Sequence, residues 1–201
     1  SPLTISRTTS ASTTVLFVGI VTSASDPVTA VTDNGRTMTQ ITKRNRAGNT
    51  NYLYGILAPD NGTFNVVVTF SSGTASAGVI WFTGGDTVTG WDGGTSSDDL
   101  VEGGDPHLTV ASRTNDIVLD GVTNELNFST LTPGGSQTSQ YNAGDATLRI
   151  QGSTQPGAAS VSMTWTTTAF WTETGVNVRA AAAVTSDDLG TQVVRSRMRE
   201  W

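Results

Sequence analysis

Turn-forming residues cut this sequence into short segments, and nearly every segment carries the hydrophobic spacing of a β-strand. Asp33-Asn34-Gly35 separates residues 28–32 from 36–42 and supplies the positive φ values of a tight hairpin. Pro59-Asp60-Asn61-Gly62 separates 52–58 from 63–70, and Ser71-Ser72-Gly73 follows at once. Phe64, Val66, Val68 and Phe70 alternate with Asn65, Val67 and Thr69, the period of a half-buried strand. Leu148 with Ile150, and Val161, Met163 and Trp165, repeat that spacing. Residues 15–21 are apolar on both faces, apart from Gly19, and are expected at the centre of a sheet.

The pattern predicts strands at 3–8, 14–23, 28–33, 36–43, 51–58, 63–71, 75–83, 107–112, 115–122, 125–131, 146–152, 159–167 and 170–179. So many short antiparallel strands do not stay in one open sheet. The expected fold is all-β, a two-sheet antiparallel sandwich of jelly-roll type over residues 1–179, with an incomplete barrel as the other option. Its expected core is Phe17, Phe64, Val66, Val68, Phe70, Trp81, Val161, Met163 and Trp165. Two long irregular stretches interrupt the strands, the Gly- and Asp-rich 84–105 and the Gly/Ser/Gln/Asn-rich 132–146. Residues 180–201 depart from the pattern and are expected to form a C-terminal arm or short helix.

Composition narrows the chemistry. Of 201 residues, 35 are Thr and 20 are Ser, which suits pleated, half-exposed surfaces. There is no cysteine, so thiolate catalysis, disulfides and the usual structural zinc sites are excluded. A net charge of −6 argues against a nucleic-acid partner, and no apolar run is long enough for a membrane-spanning helix. No signal peptide is visible, which together with the missing cysteines fits assembly in a reducing cytosol. His107 is the sole histidine, and no Gly-x-Ser-x-Gly elbow accompanies it. Asp86, Asp92, Asp98, Asp99, Glu102 and Asp105 crowd the long loop without a calcium-loop spacing and read as a solvated acidic loop. Lys43, Arg44 and Arg46 form a basic hairpin tip. Neither catalytic residues nor cofactors nor a metal are expected.

Two sets of residues are candidates for binding. Trp91 and Tyr141 lie in the two irregular stretches, where exposed rings can stack on sugar faces. In the C-terminal tail, Val193, Val194, Arg195, Arg197, Met198, Arg199 and Trp201 are of interface type. Residues 180–201 carry three arginines and three acids and are neutral, so the whole −6 lies on residues 1–179. A neutral tail bearing Arg and Trp on an acidic body suits docking to another chain.

The order "TTVLFVGIVTSA … PVTAVTDNGRTMTQI … NYLYGILAPDNGTFNVVVTF … AGVIWFTG … ASVSMTWTTTAFW" resembles a widespread β-sandwich domain of tailed-phage virion proteins and bacterial surface proteins, over roughly residues 13–179. The resemblance implies a non-enzymatic virion structural protein, a capsid decoration or cement protein assembled in the host cytoplasm. Its expected partners are other virion proteins, above all the major capsid protein, and further copies of itself. The resemblance carries no catalytic residues. The alternative is a carbohydrate-binding or adhesin module of a secreted bacterial protein, located outside the cell.

Overall fold

The structure, a computed structural model, describes residues 2–46, 48–98, 104–124, 131–144, 148–167 and 169–182. The described residues form strands and turns, with no helix among them. The first eight strands are β1 (Leu3–Thr9), β2 (Thr13–Thr22), β3 (Val28–Asp33), β4 (Arg36–Thr37), β5 (Thr39–Arg46), β6 (Asn49–Leu57), β7 (Gly62–Phe70) and β8 (Ala75–Thr83). The second eight are β9 (Thr95–Asp98), β10 (His107–Ala111), β11 (Ile117–Asn124), β12 (Thr132–Pro133), β13 (Thr138–Gly144), β14 (Arg149–Pro156), β15 (Ser160–Thr166) and β16 (Trp171–Val178). The hairpin at Asn34-Gly35 has the expected left-handed backbone, with φ of 47° and 77°.

All strand pairs are antiparallel, and the strands fall into four sheets rather than two. An outer sheet, β1-β7-β3-β4, faces an inner sheet, β5-β6-β2-β8. A second inner sheet, β13-β14-β11-β16-β9, faces a second outer sheet, β10-β15-β12. The two orders are the same order. β1, β7 and β3 correspond to β10, β15 and β12, while β5, β6, β2 and β8 correspond to β13, β14, β11 and β16. The chain therefore builds one sandwich unit twice, and the two inner sheets pack against each other. The expected all-β sandwich is present, but as a stacked pair in four layers. Alternation shows which strand faces are buried, not how many sheets lie above them.

Three layers of core follow. Leu16, Val18, Ile20, Val31, Met38, Tyr52, Val66 and Val68 fill the first sandwich. Val15, Phe17 and Leu53 from its inner sheet meet Leu119, Val176 and Val178 between the halves. Leu108, Val110, Val118, Val161 and Met163 fill the second sandwich, beside Val122, Leu131, Trp165 and Trp171. The apolar run in β2 is thus buried on both faces because its sheet is itself an inner layer. Of the expected core, Phe17, Val66, Val68, Val161, Met163 and Trp165 are buried and Phe64 and Phe70 half-buried. Trp81 departs from expectation: it is 41% exposed, because β8 is the outermost strand of its sheet.

The expected strand at 125–131 falls almost wholly outside the described residues, as do the arm or helix from residue 183 onward and the docking residues Val193, Val194, Arg195, Arg197, Met198, Arg199 and Trp201. Both expected irregular stretches contain strands, β9 in 84–105 and both β12 and β13 in 132–146.

Candidate functional site

Trp91 and Tyr141 do not stand out from their loops as a paired sugar platform. Trp91 bridges to Val178 and meets Phe17 edge-to-face, with centroids 5.5 Å apart, in the layer between the halves. Tyr141 projects from β13 into a cradle of Gly19, Gly78, Gly121 and Gly152, drawn from both inner sheets. A Cβ at Gly19, Gly78 or Gly152 would overlap its ring, so glycine is required there by close approach. The Tyr141 hydroxyl is buried with no hydrogen-bond partner among the described residues, and burial drives its pKa upward. A polar strand with a single large ring gives a weak sequence signal, which is why β13 reads as a loop.

Asn51 of β6 ties the halves through polar contacts. Its amide donates to the Gly121 and Thr172 carbonyls at 2.8 and 3.1 Å, and Thr174 donates to its oxygen at 3.3 Å. Nothing in the sequence distinguishes Asn51 from the other turn-adjacent asparagines.

Two charged clusters are buried elsewhere. Arg7 of β1 spans β7 to hold Asp33 of β3 in a two-pronged contact, with Nε donating at 2.8 Å. The same guanidinium donates to the Thr9 hydroxyl and to the Asp60 and Gly62 carbonyls. In the second sandwich, Asp120 of β11 accepts from Trp165 Nε1 at 2.7 Å and from the Ser153 amide and hydroxyl at 2.8 and 2.7 Å. Burial pushes the Asp120 pKa up to about 6, and these donors restrain the rise. Glu173 of β16 is fully buried near it, and neither of its oxygens has a well-formed partner among the described residues. Burial, and then the charge of Asp120, push the Glu173 carboxyl well above the usual range. The pair suits one shared proton, but it lies inside a packed core with Trp165, Trp171 and Met163 rather than in a cleft.

The acidic loop and the basic tip are largely paired with each other and with the body. Arg44 holds Asp98, Lys43 holds Asp26, Arg113 and Arg179 approach Asp92, and Arg179 approaches Asp86. Asp105 accepts from the Thr167 amide, while Asp99 and Glu102 lie outside the described residues. No group of three or more metal-ligating side chains occurs among the described residues. His107 is exposed, packs edge-on to Trp171 and meets the Asp105 carbonyl through Nδ1 at 3.0 Å. An open groove of about 460 Å³ runs past Asp92, Thr95, Thr109, Ser112 and Arg113. No described helix is long and apolar enough to cross a membrane.

No protein-family model matches the chain, and no curated protein or solved structure gives a match either.

One bare sheet edge lies beside the point where the described chain ends. β8 ends its sheet, so its outer edge carries no ladder partner among the described residues. Trp81 and Val88 are the large exposed apolar side chains there, the latter in the turn beyond β8. Close to the same strand end, the Ala181 amide donates to the Gly84 carbonyl at 2.9 Å, and Ala181 and Ala182 are exposed. The chain therefore leaves the body toward residues 183–201 at the surface, next to β8.

Proposed function

We propose that this chain is a non-enzymatic structural protein of a virion, decorating or cementing a capsid and docking through its C-terminal residues. The observation that carries the reading is the surface exit at Ala181 and Ala182, which leads into a neutral segment bearing Arg195, Arg197, Arg199 and Trp201. Arg and Trp dominate interface hot spots. The body beneath is acidic, which keeps particles soluble and mutually repelling. A stack of two sandwiches with interdigitated inner sheets suits a load-bearing role. The proposed partners are the major capsid protein and further copies of the chain.

Purified particles provide the test, with a glycan array as the competing arm. The chain is expected in particles at fixed stoichiometry, with no glycan binding. Glycan binding by a chain missing from particles would favour the adhesin reading instead. The packing of Trp91 and Tyr141 between the halves counts against them as its sugar platform.

A further inference from the structure

We propose that the free outer edge of β8 is a strand-acceptor site whose occupant is this chain's own segment 182–189, added antiparallel within the same molecule. Three observations lead there independently of what the docking residues bind.

The first is a difference between equivalent edges. β8 and β16 hold the same place in the repeated unit, yet only β16 is covered. β9, from the segment that follows β8, pairs with it from Thr95 opposite Gly175 to Asp98 opposite Thr172. β8 spans nine residues, is mostly half-buried, and presents Trp81 at an edge without a partner among the described residues. A long bare edge invites another strand.

The second is an approximate two-fold axis. Gly19 pairs with Gly78, and Gly121 with Thr174, so Gly78 and Thr174 are equivalent positions. The same offset makes Gly84 equivalent to Ala180, and Gly85 to Ala181. The chains leaving β8 and β16 meet there in an antiparallel bridge of Gly85 with Ala180. The bridge is closed by Asp86 N–H to the Arg179 carbonyl and Ala181 N–H to the Gly84 carbonyl, both 2.9 Å. The axis passes beside this bridge, between the Gly85–Ala180 and Gly84–Ala181 pairs. The rotation that lays the segment after β8 along β16 lays the segment after Ala181 along β8.

The third is sequence. β9 and the residues after it read Thr95-Ser96-Ser97-Asp98-Asp99-Leu100, and the segment after Ala181 contains Thr185-Ser186-Asp187-Asp188-Leu189. Continuing the bridge residue for residue sets Val184 opposite Trp81, Ser186 opposite Val79 and Asp188 opposite Ala77. Directly opposed residues share a sheet face, so Val184 would cover the exposed indole. Entry is already fixed in the same chain by the Ala181 hydrogen bond, which selects this molecule's segment over a second copy's. Residues 193–201 would then emerge near Ala75 and the turn at 71–74.

Amide exchange on the full-length chain and its Thr185→Pro variant tests this: the Ala181 N–H is aimed at β8, so in the same register the Thr185 N–H is too, and proline there removes a ladder donor. Peptides covering 75–83 should exchange roughly tenfold or more slowly in the unsubstituted chain. Those covering 117–124 should be unchanged, and the protection of 75–83 should be the same at every protein concentration. Equal exchange of 75–83 in both chains would overturn the proposal. Protection that appears only with a dimer would also overturn it, assigning the edge to a second copy. Should the variant lose protection at 117–124 as well, the Ala77→Cys/Asp188→Cys chain decides. An intramolecular disulfide in the monomer is expected, and its failure to form refutes the pairing.

Discussion

In the first sandwich, the charge buried between and beside the sheets is a matched one: Arg7 and Asp33 neutralise each other, and three further oxygens receive the guanidinium. In the second, the same strand order encloses Asp120 and Glu173, two carboxyl groups without a cation among their hydrogen-bond partners. Val18 stands in β2 where Asp120 stands in β11, and Ala77 where Glu173 stands, so the first half is apolar at both places. The strand order thus tolerates opposite solutions to burying polar groups. What the two halves share is the inner layer, where buried Phe17 and Leu53 of one meet buried Leu119 and Val176 of the other.

The largest effects should come from breaking each half's own device. Arg7→Met should cost ~3–5 kcal/mol in urea unfolding, because it strands the Asp33 carboxylate in the core. A loss below about 1 kcal/mol would mean that Asp33 finds water or another donor. Trp165→Ala should cost ~3–5 kcal/mol, since it leaves a large cavity and removes a donor from Asp120. Wild-type melting would show that the second core is not packed around this ring.

Next in size is the seam between the halves. Asn51→Ala should cost ~1–3 kcal/mol by leaving two buried carbonyls with fewer donors. If it costs nothing, the halves are held by apolar contact alone.

The pH response should separate the two devices. A carboxyl with a raised folded pKa binds its proton more tightly when folded. Its stabilising effect is complete below the unfolded value near 4 and is lost as pH rises through the folded value, about 6 for Asp120 and well above the ordinary carboxyl value for Glu173. Glu173→Gln should therefore stabilise the protein at pH 8 by on the order of 1–3 kcal/mol and change little at pH 4. An equal effect at both values would contradict the shared-proton description. Asp26 in the first half behaves oppositely. Its pKa is lowered by hydrogen bonds from Lys43 and then Tyr52, so its small contribution is present above pH 4 and lost on acidification. The smallest effect belongs to Tyr141→Phe, which removes a buried hydroxyl without a partner among the described residues and should be neutral or stabilising by up to ~1 kcal/mol.

Most of the strands were legible because their turns carry their own chemistry. Asn34-Gly35 and the Pro59–Gly62 turn mark strand ends whatever the tertiary setting. The duplication was not legible, because β2 and β11 share little beyond a glycine and an apolar spacing, VLFVGIV against IVLDGVT. Layer number was hidden for the same reason. Asp120 falls within the expected strand 115–122, but nothing in the spacing marks it as buried, and only the fold shows it inside a core. Trp81 reads as core from alternation, yet its strand lies at an edge, which alternation does not encode. Trp91 and Tyr141 sit in Gly-rich stretches and pack inward, Trp91 against Phe17 and Tyr141 where facing glycines leave room.

The functional claim rests on residues 193–201, and particle occupancy of a chain ending at Gln192 tests it most directly. This truncation spares both sandwiches and the segment proposed to cover β8. The account predicts an unchanged melting temperature together with loss of the chain from purified particles. Full occupancy of the truncated chain would contradict docking through Val193, Val194, Arg195, Arg197, Met198, Arg199 and Trp201.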